Sequence, residues 1–319
     1  MDSGILAVLD EPAHGIPAGE YVSILEDRLP TWDVTHPKTP LQRAQAIETA
    51  TVVTGKTISA QEVAGADQLC LFAAISAGVD HLPLAELESS GIIVTNASGV
   101  HGPGIAEHVI AWMLMFYRRM DIAFARQRLR SWQKFQSFGT LSGSVVTIVG
   151  VGSIGEAIAR RLAPFDVELI GVRHSPDKPA PVDSVVGYGE LLSVLPNTDI
   201  LVCCAPLTDD TRQIIDSAAL AAMPTDAIVI NVGRGGLVDT DALVDILQAN
   251  QLHGAALDVT DREPLPADHP LWTLDNVYLT PHVSGHTPEY FERCADILEQ
   301  NLKHLEGGGS TEEVRNRVI

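Results

Sequence analysis

The sequence predicts an α/β fold built from two doubly wound parallel sheets, and two observations carry this prediction. Short apolar runs alternate with helix-length amphipathic segments along the chain, which is the pattern of consecutive βα units. With 319 residues, the chain is also long enough to form two domains with separate cores.

The predicted elements fall into two groups. The first has strands near 5–9, 50–54, 69–75 and 92–95, with helices near 19–29, 40–48 and 60–66. The second has strands near 145–149, 167–172, 199–204, 227–231, 254–258 and 277–280, with helices between them such as 153–163 and 239–249.

The connections between the groups predict a discontinuous domain. Gly102-Pro103-Gly104 indicates a hinge into a long apolar helix near 105–120. A helix near 288–305 returns the chain, and we expect the tail 314–319 to pack on the first domain. The predicted domains are therefore 1–101 with 285–319, and 102–284.

The composition argues against several classes of protein. A formal net charge of −20 disfavours nucleic acids and anionic membranes as partners. No apolar stretch approaches the roughly 18–20 residues of a membrane span, and residues 1–9 lack the basic start of a signal peptide. We therefore expect a cytoplasmic protein. The 4 cysteines fit no metal-binding spacing, so we expect reduced thiols and no metal.

Three side chains stand just after predicted strands of the second group: Arg234, Glu263 and His282. The carboxyl ends of parallel strands open onto one crevice, so these residues should converge there. A guanidinium fixes a carboxylate through a planar, bidentate fork. A histidine paired with a carboxylate has its protonated form favoured, which suits a proton donor. The sequence therefore predicts an anion clamp beside a proton-transfer pair.

A glycine motif follows the predicted strand at 145–149 and opens the next helix. It reads Gly150-Val151-Gly152-Ser153-Ile154-Gly155. In this position the glycines permit a tight turn, close approach of a pyrophosphate and close packing of helix on strand. The helix N-terminus offers unpaired N–H groups and a positive dipole to the diphosphate. The motif predicts a dinucleotide-binding domain of the Rossmann type.

The end of the next strand predicts which dinucleotide binds. NAD sites usually carry an acidic residue there, which binds the ribose 2′-hydroxyl. Here Arg173-His174-Ser175 follows the strand, and Arg173 stands 18 residues after Gly155. An arginine can pair with a 2′-phosphate, so we predict a preference for NADP(H), with NAD(H) possible. The alternative is that Arg173 stacks on the adenine of NAD(H).

Over nearly its whole length the chain resembles the D-isomer-specific 2-hydroxyacid dehydrogenase family. The glycine motif carries part of this resemblance, and the spacings of 29 and 19 residues between Arg234, Glu263 and His282 are typical of the family. The other matching blocks are Ser76–Asp80, Gly99–His101, Ala106–His108, Pro206–Thr208 with Thr211, Asn231–Gly235, Leu257–Val259, Glu263-Pro264 and Thr280–His282. The resemblance implies a Rossmann NAD(P)-binding domain inserted into a flavodoxin-like substrate domain.

The resemblance also implies roles for individual residues. Arg234 would bind the carboxylate and carbonyl oxygens of a 2-oxo acid, and His282 would donate a proton while Glu263 orients its ring. The Ala77–Gly78 backbone would cradle the carboxylate, and Asp258 would hold the nicotinamide carboxamide. The expected cofactor contacts are Gly150, Gly152, Ser153, Ile154, Gly155, Arg173, His174, Ser175, Pro206, Thr211, Val232 and Asp258.

Other positions leave alternatives open. Gly55 and Lys56 lie on a loop that the family directs at the substrate, so Lys56 either contacts the carboxylate or is simply exposed. His286 either borders the substrate pocket or lies at a surface or subunit interface. We expect structural roles for His101 and His108.

The sequence also predicts a homodimer. By the same resemblance, two subunits would meet at the helix from 105 and the basic stretch 118–134 that follows it.

We therefore expect an NAD(P)-dependent oxidoreductase that interconverts a small 2-oxo acid, glyoxylate or hydroxypyruvate, and the D-2-hydroxy acid. The arginine at position 173 resembles that subgroup, and we expect no C-terminal regulatory domain after residue 319, unlike in many phosphoglycerate dehydrogenases. One alternative is a phosphoglycerate dehydrogenase-like enzyme with a different 2-hydroxy acid. The other is a dinucleotide-sensing protein similar to the C-terminal-binding-protein corepressors.

Overall fold

The computed structural model describes residues 4–135 and 139–319. The chain forms two compact units. One unit consists of the residues up to His101 together with His286–Ile319, and the other of Gly102–Gly285. Strands and helices are numbered below in chain order.

The first unit contains a five-stranded parallel sheet in the order β2-β1-β3-β4-β5, which is the order of flavodoxin-like folds. Its strands are β1 (Ile5–Val8), β2 (Asp33–Thr35), β3 (Val52–Gly55), β4 (Leu71–Ala74) and β5 (Ile93–Thr95). Its helices are α1 (Ala18–Arg28), α2 (Pro40–Thr49), α3 (Ala60–Ala64), α4 (Leu84–Ser89) and α11 (Tyr290–Glu306).

Both faces of this sheet are covered, and the tail completes the unit. Along β4, Leu71 and Ala73 pack with α1 and α11, whereas Phe72 packs into a second cluster on the opposite face. This alternation follows from the two-residue period of a strand. As expected, the tail joins this unit, because Val318 N donates to Val94 O at 2.8 Å.

The second unit contains a seven-stranded parallel sheet in the order β12-β11-β10-β9-β6-β7-β8. Its strands are β6 (Val145–Val149), β7 (Glu168–Val172), β8 (Ser184–Val186), β9 (Ile200–Cys203), β10 (Ile228–Asn231), β11 (Gly254–Leu257) and β12 (Val277–Leu279). Its helices are α5 (Gly102–Arg118), α6 (Met120–Arg128), α7 (Ser153–Leu162), α8 (Leu191–Val194), α9 (Ser217–Ala222) and α10 (Thr240–Gln248). The strand order reverses between β6 and β9, which is the switch point where doubly wound sheets bind ligands.

Close packing of α5 on α7 fixes the position of the glycine motif. A Cβ on Gly102 would lie 3.0 Å from Ala157 Cβ, so the start of α5 approaches α7 closely. Trp112, Met113 and Phe116 of α5 are buried in the cluster that covers this face of the sheet.

The structure confirms the predicted fold class and corrects some elements. The second sheet has seven strands rather than the six predicted, and neither β2 nor β8 was foreseen. Both are edge strands of only 3 residues with no buried side chain, so they lack an apolar run. The long helix predicted near 105–120 is α5, which ends at Arg118; Arg119 has a left-handed backbone with φ of 49°, and α6 follows it. No helix in the described residues is long and apolar enough to cross a membrane.

Candidate active site

Three neighbouring strands of the second sheet carry the predicted trio at their carboxyl ends. β10 pairs with β11 and β11 with β12, all in parallel. Arg234 follows β10, Glu263 lies in the loop after β11, and His282 follows β12. The three residues therefore lie along one edge of the sheet, as parallel pairing requires.

The side chains of Glu263 and His282 are in direct hydrogen-bond contact. His282 Nδ1 lies 2.8 Å from Glu263 Oε2, and the side chains are 50% and 41% exposed. Glu263 Oε1 accepts a hydrogen bond from Thr260 N at 3.2 Å, which holds the carboxylate on its loop. Within the described parts of the chain, no protein group bonds His282 Nε2. The pair thus presents a ring nitrogen to a ligand while the other nitrogen is held by a carboxylate.

Asp258 anchors the backbone of the segment that carries His282. His282 has φ of 54°, in the left-handed region that costs a non-glycine residue free energy. Its N–H donates to Asp258 O at 2.8 Å. The N–H groups of Val283 and Ser284 donate to the two Asp258 carboxylate oxygens at 2.9 and 3.0 Å. These bonds offset the cost of the turn and fix the direction of the imidazole.

Side-chain hydroxyls complete the hydrogen bonding of Asp258. Thr280 Oγ1 donates to Oδ1 at 2.6 Å, and Ser284 Oγ donates to Oδ2 at 2.5 Å. Burial raises the pKa of Asp258, but the bonds from Ser284, Thr280 and the backbone outweigh burial and leave the pKa below its ordinary value. Asp258 is 2% exposed and already accepts four bonds, so it acts here as a structural anion. A contact with the nicotinamide carboxamide stays a prediction.

His108 of α5 extends this network. Its Nε2 lies 3.2 Å from Thr280 Oγ1, and that hydroxyl already donates to Asp258. His108 must therefore donate from Nε2, as the neutral ring can. Burial lowers the pKa of His108, an effect that the nearby Asp258 charge partly opposes. His108 thus has the expected structural role, as a hydrogen-bond partner of Thr280.

Arg234 is held at the same edge by short turns. Its Nη1 donates to Gly233 O at 2.8 Å, and Asn231 Nδ2 donates to Arg234 O at 3.0 Å. A Cβ on Gly235 would lie 1.9 Å from Thr260 C, so the loops after β10 and β11 are in backbone contact. Arg234 is exposed, and no carboxylate of the described residues pairs with its guanidinium. The guanidinium is therefore available to an anionic ligand.

A cavity of about 330 Å³ lies beside Glu263 and His282. Its wall includes Glu263 and His282 together with apolar side chains, but not Arg234. The apolar part consists of Pro264, Leu265, Trp272, Leu279 and Pro281.

The glycine motif fits a dinucleotide, because each glycine meets a different steric demand. Gly150 has φ of 102°, and a Cβ there would lie 2.4 Å from Ala205 N. A Cβ on Gly155 would lie 2.4 Å from Gly150 O, so only glycine allows the helix to pack this closely. Gly152 is exposed, with nothing within 4 Å of an added Cβ, where a pyrophosphate can approach. Ser153 and Ile154 begin α7, and the first N–H groups of a helix have no partner within the helix.

The segment after β7 shows how Arg173 is held. Its N–H donates to Val186 O of β8 at 3.1 Å. Its Nη1 is buried and has no hydrogen-bond partner in the described part of the chain. His174 is exposed and Ser175 half-buried beside it. Such an unsatisfied cationic donor suits an anionic ligand group such as a phosphate.

Three other expected cofactor contacts differ in their exposure. Pro206 is exposed, whereas Thr211 is 1% and Val232 4% exposed. Thr211 Oγ1 donates to Pro206 O at 2.6 Å and accepts from Thr208 N at 2.8 Å, so its hydroxyl is used within the loop. Thr211 and Val232 thus shape the wall of this region, and their direct contacts with cofactor stay predictions.

The expected substrate-binding residues of the first unit also differ from one another. Ala77 and Gly78 are exposed, and in the described residues their N–H groups donate to no protein acceptor. Gly55 is buried, and a Cβ there would lie 2.7 Å from Leu9 Cδ1. Lys56 Nζ donates to Pro12 O. Carboxylate binding by the Ala77 and Gly78 N–H groups stays a prediction, whereas Gly55 permits close packing of β3 on the residues after β1.

Sequence reasoning missed the part of the site that Ser284 supplies. Both its N–H and its hydroxyl bond Asp258. A single serine two residues after a histidine carries no sequence signal for such a role. Among the described residues, no group of three or more His, Cys, Asp or Glu side chains could hold a metal ion.

A glycine-lined nucleotide site and a charged acid–base pair on one doubly wound sheet define a dinucleotide-dependent dehydrogenase. Residues 110–284 match the family described as D-isomer specific 2-hydroxyacid dehydrogenase, NAD binding domain. The chain is 35% identical over 253 residues to a glyoxylate reductase of Thermofilum pendens, covering 77% of this chain and 74% of that protein. It is 36% identical over 231 residues to the glyoxylate/hydroxypyruvate reductase HPR3 of Arabidopsis thaliana, covering 72% and 70%.

A solved structure gives the same result. The D-isomer specific 2-hydroxyacid dehydrogenase from Xanthobacter autotrophicus Py2, in complex with NADPH and MES, is 26% identical with a TM-score of 0.79. The match covers 99% of this chain and 98% of that one. The chain therefore belongs to the D-isomer specific 2-hydroxyacid dehydrogenase family. It is an oxidoreductase that uses a nicotinamide dinucleotide and acts on small 2-oxo and 2-hydroxy acids.

Proposed function

We propose that the protein reduces glyoxylate or hydroxypyruvate to the D-2-hydroxy acid, with NADPH as the preferred cofactor. The observation that carries the proposal is the contact of 2.8 Å between His282 Nδ1 and Glu263 Oε2. This contact leaves Nε2 as the ring nitrogen that gives up a proton. When bound, the dinucleotide supplies the hydride.

The ion pair acts as the proton donor. Reduction of a carbonyl leaves an alkoxide oxygen, which needs a proton as the negative charge develops. His282 donates that proton from Nε2, and Glu263 stabilises the charged ring before the transfer and keeps it oriented. Asp258 fixes the position of the His282 ring, since it accepts hydrogen bonds from three consecutive N–H groups, those of residues 282–284.

Arg234 binds the anionic end of the substrate. Its exposed, unpaired guanidinium takes the carboxylate and the carbonyl oxygen through its planar fork. A carboxylate bound in this way cannot rotate, so its carbonyl carbon is held for hydride attack. In the first unit, the free N–H groups of Ala77 and Gly78 are a second candidate group for a carboxylate.

Arg173 supports the cofactor preference. A 2′-phosphate adds negative charge at the end of β7, where the dinucleotide ribose binds in this fold. The buried, unpaired Nη1 of Arg173 would gain a charge-assisted bond from that phosphate. The relative from Xanthobacter autotrophicus, which was solved with NADPH, supports this choice.

The names of the relatives support the substrates. Both reported relatives are called glyoxylate or glyoxylate/hydroxypyruvate reductases. The experiment is a kinetic panel with glyoxylate, hydroxypyruvate, pyruvate and 3-phosphohydroxypyruvate, each with NADPH and NADH. We expect the highest kcat/KM for glyoxylate or hydroxypyruvate with NADPH. Best turnover of 3-phosphohydroxypyruvate would contradict the substrate, and dinucleotide binding without any turnover would favour a sensing protein.

The surface of α6 supports a homodimer of the second unit. This helix has no buried residue, and the residues around it expose large apolar side chains. Phe124, Leu129 and Trp132 are 48%, 77% and 103% exposed, and a second copy of the chain would cover them. We expect a dimer by light scattering and a monomer for Leu129→Asp. A wild-type protein that is monomeric at micromolar concentration would contradict this.

A further inference from the structure

A cluster of three histidines lies in the first unit. His14 is in the loop after β1, His101 lies after β5, and His286 precedes α11. The His14 ring stacks on the His286 ring, with centroids 4.4 Å apart and planes at 17°. The His14 and His101 centroids are 5.3 Å apart. Tyr290 backs the cluster, with its ring centroid 4.0 Å from that of His14.

The surroundings of His14 disfavour its protonated form. Burial lowers the pKa of His14 to about 4, and the charges of His286, His101 and Lys56 lower it further. No carboxylate contributes to this shift. Lys56 places its ammonium group near His14, in a chain whose net charge is −20.

The carboxylates of the neighbouring segments are bound to other donors. Glu11, on the loop of His14, accepts from Lys56 N and from Arg43 Nη1. Glu289, at the start of α11, accepts from the Thr287 hydroxyl and from Arg293 Nη2. Each of these carboxylates is therefore paired with an arginine, Glu11 with Arg43 and Glu289 with Arg293.

One ring nitrogen of the cluster lacks a partner. His14 Nδ1 is buried and has no hydrogen-bond partner in the described residues. These three histidines are not arranged to hold a metal, because the described chain has no group of that kind. Stacked imidazoles with an unsatisfied nitrogen and a nearby ammonium suit an anion instead, since protonated rings donate from both nitrogens.

We propose that His14, His101 and His286, with Lys56, bind a small anionic group, a carboxylate or a phosphate. Bringing protons onto adjacent imidazoles is unfavourable unless an anion offsets their mutual repulsion. Anion binding and proton uptake are therefore coupled. The pH dependence follows from linkage. As the pH falls through the range where imidazoles titrate, the affinity for the anion rises by up to about tenfold per pH unit for each proton taken up.

The site borders the loop proposed to hold the substrate carboxylate. Tyr290 Oη donates to Ile75 O, and Ile75 begins the segment that leads to Ala77 and Gly78. The anion is either a free molecule or the distal group of a 2-oxo acid larger than the two proposed substrates. The second possibility rests on the proposed function, whereas the first does not.

The first test measures sulfate binding by calorimetry, because sulfate keeps its charge between pH 6 and 8. We expect at least about tenfold tighter binding at pH 6 than at pH 8. His286→Gln should lose most of this affinity, whereas His36→Gln, a histidine of the same unit paired with Asp10, should bind like wild type. In parallel, sulfate should shift the imidazole ¹⁵N resonances of the three clustered histidines in wild type.

Sulfate binding that is absent at pH 6, or equal in wild type and His286→Gln, overturns the proposal. His101→Gln is a second variant in case His286→Gln folds poorly, and near-native circular dichroism is required of each.

The second test identifies the source of the anion. It compares kcat/KM for 2-oxoglutarate, which has a distal carboxylate, and 2-oxopentanoate, which has the same chain length without one. A preference for 2-oxoglutarate at pH 6 that His286→Gln abolishes assigns the site to the substrate. Sulfate binding without that preference assigns it to a free anion. If no 2-oxo acid is turned over, the proposed function fails while the sulfate result still decides the anion site.

Discussion

Two regions at the carboxyl edge of the second sheet differ in how they are built. At β6 and β7 the glycine motif shapes the site through backbone alone, with Gly152 open to the ligand and Gly150 and Gly155 in close contact with neighbouring backbone. At β10–β12 the site is made of charged side chains on three loops. Asp258 and its four hydrogen bonds hold the last of these loops in place.

The two sites depend on different features of the sequence, so substitutions should affect them differently. A backbone site depends on the absence of side chains at a few positions close in sequence. A side-chain site depends on groups far apart in sequence and on the residues that orient them. Substitutions in the second region should therefore alter rate constants, whereas those near β7 should alter the choice of cofactor.

The largest effect should come from His282→Ala. This change removes the proton donor, so kcat should fall by about 10²- to 10⁴-fold. The glycine motif is untouched, so the affinity for NADPH, measured by fluorescence titration, should stay within about twofold. His269→Ala, a histidine of the same unit outside the site, should keep normal kinetics. Near wild-type turnover of His282→Ala would place the acid elsewhere.

Arg234→Lys should have the next largest effect. Lysine keeps the charge but loses the planar fork, so one charge-assisted bond to the substrate is lost. Since such a bond contributes about 1.5–3 kcal/mol, kcat/KM for the 2-oxo acid should fall by about 10- to 100-fold. The matched control is Arg212→Lys, an exposed arginine after β9. Equal kinetics for the two variants would remove Arg234 from the site.

Arg173→Asp should act on the other region. The carboxylate repels a 2′-phosphate and can bind a ribose hydroxyl. The ratio of kcat/KM for NADPH to that for NADH should therefore fall by at least about tenfold. Both kcat/KM values are measured on one protein preparation, so a fraction of unfolded protein lowers both equally and leaves their ratio unchanged. An unchanged ratio would mean that Arg173 does not contact the ribose phosphate.

Ser284→Ala should have the smallest effect and depend on pH. Folding lowers the pKa of Asp258 from its ordinary value, so its ionised form stabilises the fold at neutral pH and the contribution is lost as the pH falls through the lowered pKa. Removing the Ser284 hydroxyl should lower the free energy of unfolding by about 1–2 kcal/mol at pH 7. Urea unfolding at pH 7 and 3.5 measures the loss, which should shrink at the lower pH. Ser193→Ala, an exposed serine, should show no such pH dependence.

The same comparison explains how much could be predicted from sequence. The glycine motif is local, so its fit to a dinucleotide could be predicted from six consecutive residues. Arg234, Glu263 and His282 could be found because each follows an apolar run, and parallel strands bring their ends to one edge. The hydrogen bonds of Asp258 could not be predicted. Thr280 and Ser284 reach Asp258 only because of the backbone turn at His282, and no sequence pattern marks that turn.

Two other features had no usable pattern. β2 and β8 are short, half-exposed edge strands, so neither alternation nor an apolar run marks them. The histidine cluster joins residues 14, 101 and 286, which are distant in sequence and come together only through the fold of the first unit. Sequence patterns reveal elements through the periodic burial of their apolar residues. Neither the two edge strands nor the histidine cluster depends on such periodic burial.

The contact of Gly235 with the Thr260–Asp261 backbone restricts how this enzyme can be altered. Any side chain at position 235 would force apart the loops after β10 and β11. Arg234 and Glu263, which lie on these loops, would then separate. Redesign for bulkier acids should therefore leave this glycine alone and randomise the apolar wall formed by Leu265, Trp272 and Leu279. A library that varies position 235 should return mostly inactive clones.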